Sequence, residues 1–453
     1  MVIKKTDLNM LNEQYAKAGN QLVVIYGRKG CAKEQLIREF LADKQCFYYR
    51  CRKAEKEHQK RIFGEELRKR FDCKLTKDSY DDYFNHLKAD GPSKLVVVID
   101  DADLITKKDP EFVSSIFKLK NKKLYAGPVM IVLASNSIVW AEEDVETLFE
   151  AKIKKVDEFI KVGQLGFIDI VQAFPEFSLT DSVKMYGVLG GVPEYLEHWD
   201  VKKSFKQNIC DLVLSESGAL YKESDVLVSS ELRELSVYFS ILSTIANGNN
   251  KLNDIFLATG FSRAKISVYM KNLASFDVIE KVVSFQTGGW ENAKKGVYRI
   301  KDTFTNFWFT FIYENLSDLH MMEPGDFYDK YIEPGLDSYL NRYFKTVCME
   351  YMMLLNQVGK VPFEITKIGT WIGKNGSIDI IAQSTDRKNI IGICNWDEPF
   401  LTNKMVDDMI ETMKLAKVSS EHFYLFSAKA FEIAVQERAK EDKRFELIDM
   451  NEL

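Results

Sequence analysis

Three short runs of apolar, mostly β-branched residues constrain the fold of this chain more than any other feature. They are QLVVIY at 21–26, LVVVI at 95–99 and VMIVLA at 129–134. None alternates between apolar and polar residues, as a strand with one face in water would. Polar, helix-prone segments separate the runs. The first 200 residues therefore predict an α/β unit built on a parallel sheet that is covered on both faces.

A short polar or glycine-containing segment follows each of these runs. The segments begin at Gly27, Asp100–Asp101 and Ser135–Asn136. The carboxyl ends of parallel strands meet at one edge of a sheet, where ligands of open α/β sheets bind. We therefore expect Ala32, Lys33, Asp100 and Asn136 to converge at this edge.

The segment after the first run has the form of a phosphate-binding loop, for which the general pattern is GxxxxGK[ST] between a strand and a helix. Gly27 and Lys33 stand at the required spacing, but Ala32 replaces the second glycine and Glu34 replaces the hydroxyl that binds Mg²⁺. Backbone N–H groups of such a loop face the phosphates. The candidate nucleotide-binding residues are Gly27, Arg28, Lys29, Gly30, Cys31, Ala32, Lys33, Glu34 and Asn136.

The two replacements have different expected effects. A methyl group at Ala32 resists the left-handed backbone that glycine adopts freely. The carboxylate of Glu34 repels phosphate at the helix N-terminus, or it satisfies the helix dipole itself and leaves the loop folded without ligand. A strand–turn–helix that binds no nucleotide therefore stays open as an alternative.

Two carboxylates follow the second strand, where ATPases hold Mg²⁺ and polarise the attacking water. Asp100 is the candidate Mg²⁺ ligand and Asp101 the candidate catalytic residue. Asp101 is one methylene shorter than the usual glutamate. Asn136 matches a position that contacts the γ-phosphate. The geometry of an ATPase site is thus better preserved than its chemistry.

The composition sets further limits on the 453 residues. Net charge is −5, so no general basic surface argues for nucleic-acid binding. The seven cysteines lack metal-site spacing, which is typical of reduced thiols. No stretch approaches the roughly 18 consecutive apolar residues that indicate a membrane span. We expect a cytoplasmic protein that does not bind a membrane.

A helix-turn-helix pattern lies at 251–282, with a turn at Thr259-Gly260-Phe261 and a two-stranded wing predicted after it. The second helix offers three candidate nucleic-acid contacts, Arg263, Lys265 and Lys271. Such side chains also occur on solvated helix faces, and winged helices also serve as protein-interaction modules, so both alternatives stay open.

Four motifs in order resemble the archaeal-type P-loop ATPase family, which is related to AAA proteins. They are YGRKGCAKEQLI at 26–37, YGVLGGVPEYL at 186–196, the aromatic segment DTFTNFWFTF at 302–311, and a C-terminal part, 340–427, similar to restriction-endonuclease-like domains. The resemblance implies a P-loop NTPase parallel sheet with a helical lid, a winged helix-turn-helix and a C-terminal restriction-endonuclease-like α/β domain. It also implies ATP and Mg²⁺ as ligands.

The same resemblance indicates a degenerate nuclease site. Nucleases of this fold hold Mg²⁺ with an acid on each of two strands and use a lysine two residues after the second acid. Asp379 matches the first acid, but Ile393 and Asn395 stand where the family has glutamate and lysine. The family has a further glutamate upstream, and this chain has Lys345 at the corresponding position. The acid Glu350 lies further along the same predicted helix. We predict that this domain does not cleave nucleic acid.

These features predict four domains: a P-loop ATPase-like core at 1–160, a helical lid at 161–230, a winged helix and aromatic linker at 231–315, and a degenerate nuclease-like domain at 316–453. The favoured hypothesis is a non-catalytic or weakly catalytic, nucleotide-sensing or DNA-associated regulatory protein. The alternatives are an ATPase that tolerates its unusual loop and a protein-interaction module without nucleotide. Nucleotide, DNA through the winged helix, and an unidentified protein are the expected partners.

Overall fold

The computed structural model describes residues 2–91, 93–123, 125, 127–224, 232, 234–285, 296–373 and 376–450. The chain forms two compact units. The first contains residues 1–164 and 192–197, and the second contains 165–191 and 198–453. The residues of the lid predicted at 161–230 are shared between the two units. They are divided because 192–197 pack with the phosphate loop, whereas the helices before them pack with the C-terminal residues.

The first unit is built on a parallel sheet of five strands in the order β2-β3-β4-β1-β5. The strands are β1 (Gln21–Tyr26), β2 (Cys46–Arg50), β3 (Leu95–Asp100), β4 (Val129–Ser135) and β5 (Glu158–Lys161). The three apolar runs form β1, β3 and β4 in the centre, and every residue in them is buried. The predicted α/β class and buried parallel sheet are confirmed.

Alternate residues of the central strands enter two separate apolar cores. Leu22 and Val97 belong to the core on one face, whereas Val23 and Val96 belong to the core on the other. Strands buried on both faces lack a polar side, which explains their continuous apolar sequence. The covering helices are Lys5–Ala16, Lys33–Leu41, Lys56–Phe71, Tyr80–Asn85, Asp103–Thr106, Pro110–Lys120, Val145–Phe149 and Pro193–Leu196, with helical turns at Trp140–Asp144 and Glu150–Lys155.

The second unit contains a mixed sheet in the order β14-β12-β10-β9-β8. Its strands and their short neighbours are β8 (Lys367–Ile372), β9 (Ser377–Gln383), β10 (Asn389–Asn395), β11 (Phe400–Leu401), β12 (His422–Ser427), β13 (Ala430–Phe431) and β14 (Phe445–Asp449). Strands β10, β12 and β14 are parallel, and β9 is antiparallel to both of its neighbours. β8 is preceded by the irregular segment 361–365, which Asn356 holds by hydrogen bonds to the backbone of Ile365.

Helices surround this sheet and precede it. They are Phe167–Ala173, Leu179–Leu189, Phe205–Ile209, Leu235–Ala246, Leu252–Thr259, Arg263–Ser275, Thr303–Phe311, Leu316–Met321, Pro324–Phe327, Glu333–Gln357, Asn403–Leu415 and Ile433–Glu441, with helical turns at Cys210–Leu214, Tyr313–Asn315 and Tyr328–Ile332. The longest of these helices, Glu333–Gln357, has Pro334 in its first turn, where proline is favoured.

Three of these helices and an antiparallel strand pair follow the predicted helix-turn-helix pattern. The helices Leu235–Ala246, Leu252–Thr259 and Arg263–Ser275 precede β6 (Ile279–Val283), which pairs with β7 (Gly296–Ile300). The Ser262 hydroxyl caps the third helix by accepting a hydrogen bond from the Lys265 N–H. The tip of the predicted wing, 286–295, lies outside the described residues. Among the described helices, none is long and apolar enough to cross a membrane.

Candidate functional site

The backbone of the phosphate loop keeps a conformation that normally requires glycine. Gly30 has φ +89° and Ala32 has φ +62° with ψ +21°, so both lie in the left-handed region. The helix Lys33–Leu41 begins directly after Ala32. A Cβ at Gly27 would overlap the carbonyl oxygen of Val162. Ala32 therefore adopts the left-handed backbone conformation expected of a glycine at this position. This conformation costs roughly 1–2 kcal/mol for a residue with a side chain.

Residues 192–197 contact the phosphate loop directly. The Arg28 guanidinium donates to the Tyr195 hydroxyl at 2.9 Å and lies 5.8 Å from the centre of the tyrosine ring. The Glu194 N–H donates to the Gly30 carbonyl at 3.2 Å. A Cβ at Gly30 would approach the Glu194 carboxylate to 3.0 Å. The proline–tyrosine part of the YGVLGGVPEYL motif thus fixes the shape of the loop.

Lys33 and Asp100 form a buried ion pair. Lys33 Nζ lies 3.2 Å from Asp100 Oδ1, and both side chains are almost inaccessible to water. The Tyr48 hydroxyl donates to Asp100 Oδ2 at 2.7 Å. Burial raises the pKa of Asp100, but the charge of Lys33 and the hydrogen bonds from Tyr48 and Lys33 outweigh it, so the pKa lies below its ordinary value. The Asp100 carboxylate is therefore ionised. One of its oxygens accepts a hydrogen bond from Lys33 and the other accepts one from Tyr48.

Arg50 connects three carboxylates at the end of β2. Its Nε donates to Asp101 Oδ2 at 2.9 Å and lies 3.9 Å from Asp100 Oδ2, while its Nη1 lies 3.2 Å from Glu34 Oε1. The hydrogen bond to Asp101 raises the pKa of Arg50, although partial burial acts in the opposite direction. The Glu34 carboxylate therefore contacts a guanidinium.

Ser135 at the end of β4 and Asn136 directly after it complete this edge of the sheet. The Asn136 side-chain amide donates to Asp101 Oδ1 at 3.3 Å, and the Ser135 hydroxyl donates to Asp103 Oδ1 at 2.6 Å. The structure thus brings Lys33, Asp100 and Asp101 together with Asn136. Lys29 is exposed and Cys31 is buried within the loop.

Sequence reasoning missed Tyr48 and Arg50, the two residues of β2 that reach the carboxylates. The strand sequence CFYYR alternates between buried and exposed residues, because β2 lies at the edge of the sheet. The signal available in the sequence was the aromatic run Phe47-Tyr48-Tyr49, because aromatic residues are enriched in strands. In the parallel register Arg50 lies opposite Asp100, which places both at the same sheet edge.

In the second unit, the three residues that were predicted to form a degenerate nuclease site, Asp379, Ile393 and Asn395, lie on β9 and β10. Lys345 Nζ lies 2.6 Å from Asp379 Oδ1, and the Cys394 N–H donates to Asp379 Oδ2 at 3.0 Å. Ile393 packs against the apolar core. Asn395 closes a local turn, donating to the Glu398 carbonyl and accepting from the Glu398 N–H.

Glu350, considered as a replacement acid, is engaged elsewhere. Its Oε2 accepts the Phe167 N–H at 2.8 Å, at the N-terminus of the helix Phe167–Ala173. Glu364 is exposed. Among the described residues, no group of three or more histidine, cysteine or acidic side chains could hold a metal ion. The donors needed for a metal-dependent nuclease are therefore not gathered at Asp379 in the described part of the chain.

The helix Arg263–Ser275 presents one polar stripe. Arg263, Ser267 and Lys271 recur every four residues and are all exposed, whereas Ile266 and Met270 are buried. Lys265 is partly covered, with its ammonium 4.8 Å from the centre of the Phe261 ring. Arg263 donates to the Asn253 side chain at 2.9 Å.

Comparison with known families decides the assignment of the N-terminal part of the chain. Residues 4–199 match the model of an ATPase domain found predominantly in Archaea. This segment is an archaeal-type ATPase domain. Residues 308–409 match a second family, described as archaeal and bacterial proteins of unknown function. The resemblance to the archaeal-type ATPase family is confirmed for residues 4–199. The match at 308–409 does not test the predicted similarity to restriction endonucleases.

Known proteins resemble much of the chain. An uncharacterized protein of Methanocaldococcus jannaschii is 28% identical over 445 residues, covering 95% of this chain and 96% of the relative. The Walker-type ATPase of Pyrococcus abyssi superimposes with a TM-score of 0.48 at 14% identity, over 68% of this chain and 96% of that protein. The ORC2 protein of Aeropyrum pernix gives a TM-score of 0.40 at 10% identity, over 70% of this chain and 91% of that protein.

The match of residues 4–199 to an ATPase domain implies Mg²⁺, but the residues of this segment do not fit the metal in the usual way. Position 34 supplies a carboxylate in contact with Arg50, where Mg²⁺ would require a hydroxyl beside the phosphates. Both oxygens of Asp100 accept from Lys33 and Tyr48. A metal ion would have to compete with these donors for each carboxylate it approached.

Proposed function

We propose that this protein is a nucleotide-responsive regulator whose ATPase domain binds ATP or ADP but hydrolyses ATP poorly or not at all. The observation that supports poor hydrolysis most directly is the environment of Asp101. One of its oxygens accepts from Arg50 at 2.9 Å and the other from Asn136 at 3.3 Å. A carboxylate that must polarise the attacking water needs a free oxygen directed at that water.

The retained loop geometry supports nucleotide binding. Ala32 adopts the left-handed conformation of the glycine it replaces, and Lys33 stands at the first position of the following helix. Backbone N–H groups at a helix N-terminus attract phosphate through their partial positive charge. Glu34 is exposed and contacts Arg50, so its charge is partly neutralised.

The environment of Asp379 supports the absence of nuclease activity. A lysine ammonium contacts one of its oxygens and a backbone N–H contacts the other. A hard divalent ion needs several oxygen ligands in fixed geometry. The C-terminal domain is therefore proposed to act by contact, as a scaffold that responds to the nucleotide state of the ATPase domain.

The test combines a binding and a turnover measurement on the full chain. We expect calorimetric titration to detect ATP and ADP binding by the wild type, and phosphate release to stay at the level of a no-enzyme blank. Lys33→Ala should abolish binding, with thermal melting used to show that the variant folds. Phosphate release that disappears in Asp101→Asn would contradict the proposed lack of turnover. Absence of binding would favour the interaction module without nucleotide.

DNA contact is a second candidate function, favoured by the exposed stripe of Arg263, Ser267 and Lys271 on the third helix of the predicted winged helix. A recognition helix needs such donors at its exposed face for phosphates and base edges. A nucleotide-responsive protein with this module would couple the nucleotide state to DNA association. The net charge of −5 confines any such contact to a local surface.

A further inference from the structure

We propose that Arg50 serves as a built-in cation in the ATPase domain, taking the place of Mg²⁺, so that nucleotide binds without a divalent metal. This inference rests on the proposed function, because it concerns how the same site receives nucleotide. It starts from the observation that Glu34 and Asp100, at the positions of the usual Mg²⁺ ligands, already contact protein donors.

The guanidinium contacts the carboxylates at the positions where an ATPase would gather metal-binding oxygens. Position 34 and Asp100 correspond to the two protein ligands of the metal in P-loop enzymes. Arg50 lies 3.2 Å from the Glu34 carboxylate and 3.9 Å from the Asp100 carboxylate. Its closest partner is Asp101 at 2.9 Å. A single side chain thus joins all three acids.

The replacement at position 34 makes chemical sense beside an arginine. A serine or threonine hydroxyl is a neutral ligand suited to a metal ion, whereas a carboxylate forms a charge-assisted hydrogen bond with a guanidinium. Arginine keeps its charge under all physiological conditions, and its planar guanidinium presents several N–H donors in a fixed geometry. Glu34 and Arg50 therefore form a pair of opposite charge at the position where the hydroxyl is missing.

The fold fixes Arg50 in this place. It is the last residue of β2 and lies opposite Asp100 in the parallel register with β3. The next residue, Cys51, donates its N–H to the Asp100 carbonyl at 2.9 Å, which holds the end of the strand. Half of the Arg50 side chain remains exposed, so its remaining donors can reach an incoming phosphate.

Electrostatics explain why a divalent ion is not expected in addition. Three carboxylates face the two cations Lys33 and Arg50. A metal ion close to the acids would meet a fixed positive charge within a few ångströms, and like charges at such distances repel by about 1–4 kcal/mol near a protein surface. Removal of Arg50 leaves the acids with a single cation and should create a site for a metal.

The first measurement needs no nucleotide. Binding of Mn²⁺ to the free protein is followed by electron paramagnetic resonance for wild type, Arg50→Met and Arg52→Met. Arg52 is the matched control, because it also pairs with an acid, Glu66, at 2.6 Å, but makes no contact with Asp100 or Asp101 among the described pairs. We expect Arg50→Met to bind Mn²⁺ at least tenfold more tightly than the other two proteins. Equal binding by wild type and Arg50→Met would overturn the inference.

The second measurement is titration of the wild type with ATP in MgCl₂ and in EDTA. We expect dissociation constants that agree within about threefold, and at least a tenfold dependence on Mg²⁺ after Glu34→Thr is combined with Arg50→Met. Wild-type binding that requires Mg²⁺ would overturn the inference and leave the proposed nucleotide binding intact. If neither condition gives binding, the proposed function fails, and the Mn²⁺ experiment still decides whether Arg50 occupies a metal position.

Discussion

Lys345 Nζ lies 2.6 Å from Asp379 Oδ1, which joins the long helix Glu333–Gln357 to β9 by an ion pair. Burial lowers the pKa of Lys345, but the charge and hydrogen bond of Asp379 outweigh it and raise the pKa above its ordinary value. The ammonium therefore stays charged beside the acid. The ATPase domain has a comparable arrangement, in which the Arg50 guanidinium contacts Asp101. At both places a protein cation neutralises an acid that would otherwise attract a metal ion.

The first prediction concerns the stability of this ion pair. Lys345→Met and Asp379→Asn should each lower the free energy of unfolding by about 1–3 kcal/mol, because each leaves a largely buried charge without its partner. The double variant should lose less than the sum of the single losses. Denaturant unfolding of the four proteins measures this coupling. Strictly additive losses would mean that the two groups do not interact in solution.

A second prediction concerns nuclease chemistry. Neither single- nor double-stranded DNA should be cleaved in Mg²⁺ or Mn²⁺, because the Asp379 oxygens accept from Lys345 and from the backbone of Cys394. Gel analysis of wild type beside Asp379→Ala tests this. Metal-dependent cleavage that is lost in the variant would show that other acids complete the site.

The third prediction restores the usual phosphate-loop sequence. Ala32→Gly combined with Glu34→Thr should raise the affinity for ATP–Mg²⁺ by at least tenfold. Glycine adopts the left-handed conformation without strain, and threonine removes a negative charge from the helix N-terminus, where the phosphates bind. Titration calorimetry measures the change. A useful control is Glu39→Thr, at an exposed position on the same helix, which should leave the affinity unchanged.

The fourth prediction concerns acid stability. The folded pKa of Asp100 lies below its ordinary value of 3.8. Its ionisation therefore contributes stability that is complete above about pH 5 and is lost as the pH falls through the lowered pKa. Asp100→Asn should cost about 3–5 kcal/mol at neutral pH, because it leaves Lys33 charged and buried. The difference between the two proteins in urea unfolding should shrink on acidification. A difference independent of pH would argue against an ionised Asp100.

The last prediction concerns DNA. If the helix Arg263–Ser275 contacts phosphates, Arg263→Ala and Lys271→Ala should each reduce the salt slope of duplex binding by about one unit. Lys330→Ala is the control, because this exposed lysine pairs with Asp318 at 2.7 Å in the same unit. Fluorescence anisotropy at several salt concentrations gives the slope. Absence of binding at low salt would leave the module with a protein-interaction role.

The central strands of the ATPase domain could be predicted from sequence because burial on both faces demands continuous apolar runs. The same reasoning placed Lys33, Asp100 and Asn136 at one sheet edge, since parallel strands end together. The surroundings of these residues could not be predicted in this way. Arg50 acts from an edge strand that was not recognised. Its partner Glu34 was interpreted only through the hydroxyl that it replaces and its charge at the helix N-terminus.

The C-terminal domain shows the same division. Loss of the acid at Ile393 is visible in the sequence, because isoleucine has no metal-binding atom. That Lys345 pairs with Asp379 depends on how a helix crosses a sheet, and spacing along the chain does not specify it. Glu350 likewise aligns near the site in sequence, but it caps a helix more than 180 residues away in the chain.

The position of β2 at the edge of the sheet has a consequence for motion. The backbone of β2 pairs with β3 along one side. Tyr48 and Arg50, whose side chains donate to Asp100 and Asp101, both belong to β2. Edge segments open locally at lower free energy than a sheet centre. A brief separation of β2 from β3 would therefore remove the hydrogen bonds of Tyr48 and Arg50 from Asp100 and Asp101 at the same time. The hydrogen-exchange rate of the β2 amides would report how often this opening occurs.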